Sequence, residues 1–194
     1  MTAPKQLWLL AGGNGAGKST FYRLFLETKG IHSVNADLIA KKINPDNPEK
    51  VSYEAASLAM RLLEELLYQG TSFCYETVFS HPSKIDLVAK AKALGYEIIL
   101  VYIHLDTLEL NEARVMQRVS VGGHNVPADK IRSRIPRTMK NVATVLPLVN
   151  EARLLNNSYL KSYFQQVAVV SQGKRVMAID PLPKWAKEIL TDIP

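Results

Sequence analysis

The chain has 194 residues, 24 Lys and Arg against 18 Asp and Glu, 47% hydrophobic residues and a single cysteine, Cys74. That length suits one domain burying roughly 70% of its unfolded surface, and one cysteine excludes an internal disulfide framework and a Cys-rich zinc module. The longest apolar run, residues 98–103, falls far short of the ~20 residues of a membrane span, and no signal-peptide pattern opens the chain, so the expectation is a soluble cytoplasmic protein without a membrane partner.

Residues 6–10 read as a first strand, the glycine stretch 12–17 as a turn, and 18–27 as the helix behind it, closed by Gly30. A short second strand over 31–34 precedes a turn-rich loop, Asn44-Pro45-Asp46-Asn47-Pro48, and a long helix over 52–68. That helix carries Leu58, Leu62, Leu63, Leu66 and Leu67 at core-facing spacing. Residues 71–77 suit a third strand and 83–94 a helix, and 97–105 form the near-continuous apolar run of a central parallel strand. From 108 to 149 the pattern is mainly helical, broken by Gly122-Gly123, Pro127 and Pro136. Weaker strand patterns follow near 153–155, 167–171 and 175–179, and 184–190 reads as an amphipathic packing helix.

Gly12-Gly13-Asn14-Gly15-Ala16-Gly17-Lys18-Ser19 satisfies G-x-x-x-x-G-K-S between a predicted strand and a predicted helix, with Thr20 following. Glycines let successive backbone N–H groups turn inward around phosphates, and the helix N-terminus adds partial positive charge. Lys18 then reaches the outer phosphates, and the Ser19 hydroxyl is placed for Mg²⁺. The implied ligand is a nucleoside triphosphate, ATP, with Mg²⁺. The alternating elements predict a P-loop NTPase α/β fold, a three-layer α/β/α arrangement with a mostly parallel sheet of five to six strands.

In such sheets ligands sit outside the carboxyl ends of the strands. Two ends carry carboxylates: Asn35-Ala36-Asp37 after the second strand and Glu76-Thr77 after the third. Asp37 is placed to take a proton from an attacking hydroxyl or, in the plainer reading, to cap the helix that follows. Glu76 is placed to bind an acceptor hydroxyl or to pair with an arginine. Between 112 and 140 stand Arg114, Arg118, Lys130, Arg132, Arg134, Arg137 and Lys140 against only Glu112 and Asp129, so this segment holds most of the chain's net charge of +6. A glycine-hinged segment loaded with guanidinium groups is what a phosphoryl-transfer lid requires. Asp106 after the apolar strand mimics a mechanical-ATPase signature, and Cys74 reads as buried packing.

Together these residues resemble the zeta toxin family of P-loop kinases that phosphorylate UDP-N-acetylglucosamine. The resemblance runs from Gly12–Thr20 through Asn35-Ala36-Asp37, Glu76-Thr77 with Ser80, residues 89–96, and Arg114 and Arg118. Its most specific part is Gly122-Gly123-His124-Asn125-Val126-Pro127 with Ile131, Arg134, Arg137 and Asn141, and Asn157-Ser158 matches near the end. It implies Lys18 as phosphate ligand, Ser19 as magnesium ligand and Asp37 as base. Asn35, Glu76 and Thr77 would face the acceptor, Arg118 and Arg134 the phosphates, and Arg114, His124 and Arg137 would complete the lid. The family also implies a nucleotide-sugar acceptor and an antitoxin as partner. Ile135 and Lys41-Lys42 depart from the family's usual aromatic and arginine pair. Two other readings are a polynucleotide 5′-hydroxyl kinase, against which stands the lack of interleaved aromatic and basic residues, and a non-catalytic ATP-binding protein.

Overall fold

The computed structural model describes residues 4–123, 125–159 and 162–194; His124, among the expected lid residues, lies outside them. Seven strands form one sheet: β1 (Gln6–Gly12), β2 (His32–Asn35), β3 (Phe73–Thr77), β4 (Glu97–His104), β5 (Glu151–Asn156), β6 (Gln165–Ser171) and β7 (Lys174–Ala178). The spatial order is β2-β3-β1-β4-β5-β6-β7. The strands β1 to β5 pair in parallel, and β6 and β7 continue the sheet antiparallel. The sheet is thus wider than the five to six strands expected. All three weak C-terminal patterns became strands, the outermost being β7, whose mostly exposed residues give little hydrophobic alternation to read.

Strand periodicity divides the core. Leu7, Leu9 and Ala11 of β1 point to one face and Trp8 and Leu10 to the other. On the first face they meet α3 (Ser52–Gln69), α4 (Ser83–Ala93), α6 (Ala128–Val145) and α7 (Lys184–Ile189) through Leu63, Val88, Val142 and Trp185. On the second they meet α1 (Lys18–Phe25) through Phe21. Each fully buried leucine contributes about 2 kcal/mol, and β4, buried along nearly its whole length, is the strand both layers share. In α3 the buried stripe is Ala55, Ala59, Leu63 and Leu67, while Leu62, expected in the core, is 40% exposed. A strict four-residue spacing selects the small alanines and turns Leu62 outward.

The remaining helices are α2 (Ala36–Ile43) and α5 (Leu108–Ser120). Pro136 does not break the chain as the sequence suggested, because α6 runs through it. The proline is exposed and forfeits one backbone bond, while Ile131, Val142 and Val145 on either side are buried and at about 2 kcal/mol each outweigh that loss. Val115, Val126 and Ile131 form a small separate core between α5 and α6. Gly123 turns the chain there so tightly that a Cβ would stand 2.7 Å from the Arg118 carbonyl oxygen. Among the described residues no helix is long and apolar enough to cross a membrane.

Candidate functional site

The chain leaves β1 between β3 and β4, so the loop after it opens where the connections diverge to the two sides of the sheet. Gly17 stands at the N-cap of α1 with φ of 102°, and a Cβ there would lie 2.5 Å from the Asn157 side-chain nitrogen. No side chain caps α1, which leaves its first N–H groups free to receive an anion. The loop is held from several sides. Asn111 of α5, buried, donates its amide to the Asn14 carbonyl at 2.7 Å. Asn157, just past β5, donates to the Ala16 carbonyl at 2.8 Å, and its own carbonyl accepts from Arg114 at 2.8 Å. Neither asparagine was given a site role by its sequence context; the available signals were Asn157-Ser158 within the family resemblance and Asn111 lying one turn before Arg114 on the same helix. Replacing Asn111 with alanine is expected to lower the melting temperature by a few degrees and weaken ATP-analogue binding several-fold, since it orphans a loop carbonyl worth about 1–3 kcal/mol. Thermal unfolding with and without the analogue measures both, and an unchanged affinity would show that the loop keeps its shape without this anchor.

Lys18 is 9% exposed, and its ammonium donates to the carbonyls of Gly12 and Gly13 at 3.0 Å each. Burial holds its pKa below the ordinary lysine value; Glu76 and Asp37 oppose that shift, and Arg118 and Arg134 add to it. The lysine of the loop, two strand-end carboxylates and two arginines of the 112–140 segment therefore meet in one electrostatic neighbourhood.

Each partner reaches that place by a local device. Glu76 is the next-to-last residue of β3, in register with Leu10 of β1 and Asn35 of β2. Its Oε1 accepts the Ser19 hydroxyl at 2.6 Å. Asp37 is exposed at the second residue of α2 and does not cap that helix: the Asn35 side chain does, accepting from the N–H groups of Asp37 at 2.8 Å and Leu38 at 3.4 Å. The carboxylate of Asp37 is thereby left out of the cap, and its charge acts on Lys18. Arg134 donates to the Asn14 side chain at 3.4 Å. Arg137 instead folds back on its own helix, donating to the Ser133 carbonyl at 2.9 Å. Thr77 accepts from the Phe79 N–H at 3.1 Å, which helps to hold Phe79 at φ of 63° with its ring fully buried. Thr138 and Asn141 of α6 clamp the same loop by donating to the Val78 and Phe79 carbonyls at 2.8 and 2.9 Å.

Two residues singled out elsewhere are accounted for structurally. Asp106 accepts from Asn156 at 2.8 Å in a turn closed by Ser158. Cys74 is fully buried, and burial pushes its thiol pKa up.

The fold has parallels among solved structures. The AvrRxo1-ORF1:-ORF2 complex with ATP includes a chain that superposes with a TM-score of 0.71 at 20% identity, over 90% of this chain and 61% of that one. A chain from the PezAT chromosomal toxin–antitoxin system of Streptococcus pneumoniae gives a TM-score of 0.64 at 17% identity, over 98% of this chain and 84% of that one. The present chain thus spans under two thirds of the AvrRxo1 chain it matches. An uncharacterized protein of Haemophilus influenzae is 34% identical over 137 residues, 67% of this chain and 97% of that protein. The zeta toxin family model matches residues 2–155, which contain the phosphate loop, both strand-end carboxylates and the arginine segment, and the chain belongs to the zeta toxin family.

Proposed function

We propose that the protein is an ATP-dependent kinase that transfers the γ-phosphate to a hydroxyl of a small molecule, a UDP-N-acetyl sugar. The observation that carries this reading is that the buried ammonium of Lys18, held on the Gly12 and Gly13 carbonyls, feels the charges of Asp37, Glu76, Arg118 and Arg134. A phosphoryl transfer to an alcohol needs few covalent roles from a protein and relies on positioning and charge. In this reading the loop N–H groups and Lys18 hold the triphosphate. Asp37 takes the proton of the acceptor hydroxyl as that oxygen attacks the γ-phosphorus and the bond to the ADP oxygen breaks. Arg118 and Arg134 face the charge spread over the transferring group. The 112–140 segment would act as a lid over the site.

The Ser19 hydroxyl and the Glu76 carboxylate, 2.6 Å apart beside the loop, fit Mg²⁺, which takes few protein oxygens and completes its shell with phosphates and water. Among the described residues no cluster of three or more carboxylate, histidine or cysteine side chains offers an all-protein metal cage. The bound ion would supply charge neutralisation between the outer phosphates. Family membership, together with the toxin–antitoxin system to which the PezAT chain belongs, supports an antitoxin as protein partner.

The test is transfer of label from γ-labelled ATP, with Mg²⁺, to a panel of UDP-sugars, free sugars and oligonucleotides. A UDP-N-acetyl sugar is expected to gain label. Label on the 5′ ends of oligonucleotides alone would replace this reading with a polynucleotide kinase.

A further inference from the structure

The inward stripe of α6 runs Ile131, Arg134, Thr138, Asn141 and Val145, three or four residues apart. All but Arg134 are buried, and Arg134, half-buried, reaches from the stripe to the Asn14 side-chain oxygen at 3.4 Å. Lys130, Arg132, Arg137 and Lys140 of the same helix lie off the stripe and are exposed. A stripe that only filled the core would stay apolar past Arg134, as Val142 and Val145 are. Thr138 and Asn141 break that rule. Thr138, fully buried, places its hydroxyl 2.8 Å from the Val78 carbonyl oxygen and 2.9 Å from that of Arg134. Asn141 donates its amide to the Phe79 carbonyl at 2.9 Å. Buried polar groups cost stability unless they are bonded, and what these two bond is the pair of residues that leaves β3.

That pair, Val78 and Phe79, directly follows Glu76 and Thr77. Phe79 is fully buried with φ of 63°, a left-handed conformation that a bulky residue keeps only where its surroundings hold it. The Thr77 hydroxyl oxygen accepts the Phe79 N–H at 3.1 Å and also the ammonium of Lys84 on α4, while α6 takes both carbonyls. The restraint works in both directions. A slide of α6 by one residue, about 1.5 Å, would break both of its bonds to the loop. Since β3 pairs with β1 up to Thr77 opposite Ala11, Arg134 is joined to the phosphate loop twice: directly through Asn14, and through Thr138, Asn141 and the paired strands.

We propose that Thr138 and Asn141 are positioning residues of the phosphoryl-transfer site: by pinning α6 to the strained loop after β3, they set the reach of Arg134 to the transferring phosphate. They are the fixed end of the lid. This rests on reading the chain as a kinase in which Arg134 faces that phosphate. Both act through Arg134, so their effect belongs to the chemical step, where a guanidinium misplaced by about 1 Å costs up to about a hundredfold.

Thr138→Val keeps the shape and removes the hydroxyl. It should lower kcat about tenfold to a hundredfold and leave KM for ATP within about threefold of wild type. Thr138→Ser, which retains the hydroxyl, should stay within about threefold of wild type in kcat. Turnover is read from γ-labelled ATP with Mg²⁺, both as transfer to whichever acceptor gains label and as hydrolysis with water as acceptor. A double-mutant cycle then separates positioning from support of the fold: in an Arg134→Met background, Thr138→Val should lower kcat by no more than about twofold further. Equal losses in the two backgrounds would overturn the proposal, as would a raised KM with kcat unchanged. Should Thr138→Val not fold, Asn141→Ser, too short to reach the Phe79 carbonyl, goes through the same cycle with the same expectation. A wild type that neither transfers label nor hydrolyses ATP would remove the kinase reading and this role with it. A wild type whose turnover neither variant slows would remove the role alone.

Discussion

Replacing Lys18 with alanine should reduce acceptor phosphorylation by about a thousandfold or more and weaken binding of an ATP analogue by at least about tenfold. The ammonium is buried and waits on the carbonyls of Gly12 and Gly13, so it needs little reorganisation to meet a phosphate oxygen. Preorganised charge of this kind, where water is largely excluded, accounts for a large part of enzymatic barrier lowering. Fold stability should respond far less. Burial already disfavours the charged form of Lys18, with Arg118 and Arg134 pushing the same way, so removing it relieves a desolvation cost while the two carbonyls lose their donor. A melting temperature within a few degrees of wild type, with activity lost, is the expected pattern. Activity within tenfold of wild type would remove Lys18 from the phosphate site.

The parts of the site that sequence could disclose are those encoded locally. The loop from Gly12 to Thr20 is a contiguous motif between a β1 pattern and an α1 pattern, and Asp37 and Glu76 stand out because ligands in such sheets lie beyond strand ends. Asn111, Asn157 and Lys84 carry no such mark. Asn157 is 141 positions from Ala16, whose carbonyl it binds, and Asn111 is 97 from Asn14, so their roles exist only once β1, β5 and α5 have packed together. Lys84 reads from sequence as one more surface lysine at the start of a helix; only the loop clamped by Thr138 and Asn141 brings it to Thr77. The capping reading of Asp37 fell to Asn35, two residues earlier, whose side chain takes the cap and which extended backbone places where an N-cap residue belongs. The fold shows the same division. The parallel strands were legible from their apolar runs, while the width of the sheet depended on an edge hairpin, and Pro136 was read as a break because local rules ignore the burial on either side of it.

Asp37→Asn should lower kcat by about two to four orders of magnitude while changing ATP-analogue affinity by no more than about threefold. The substitution keeps the size of the side chain and removes the charge and the basic oxygen. Asn35 still caps α2 through the same two N–H groups, so the backbone that presents position 37 is not disturbed, and the exposed location makes the change nearly neutral for folding. Removing this charge also takes away the carboxylate that attracts Lys84 and one of two that attract Lys18, so both ammonium groups should ionise less readily. That electrostatic loss would appear as weaker anion binding that sets in at lower pH than in wild type, below the value of about 8 that Lys84 has with Asp37 in place. The loss of a base would instead appear in kcat at every pH. kcat and KM measured separately from pH 6 to 9 distinguish the two. A variant that is slow throughout supports proton abstraction by Asp37, whereas one that matches wild type at pH 6 and falls behind only as pH approaches 8, where wild-type Lys84 still carries charge, would make Asp37 an electrostatic support for the lysines, with no part in moving the proton.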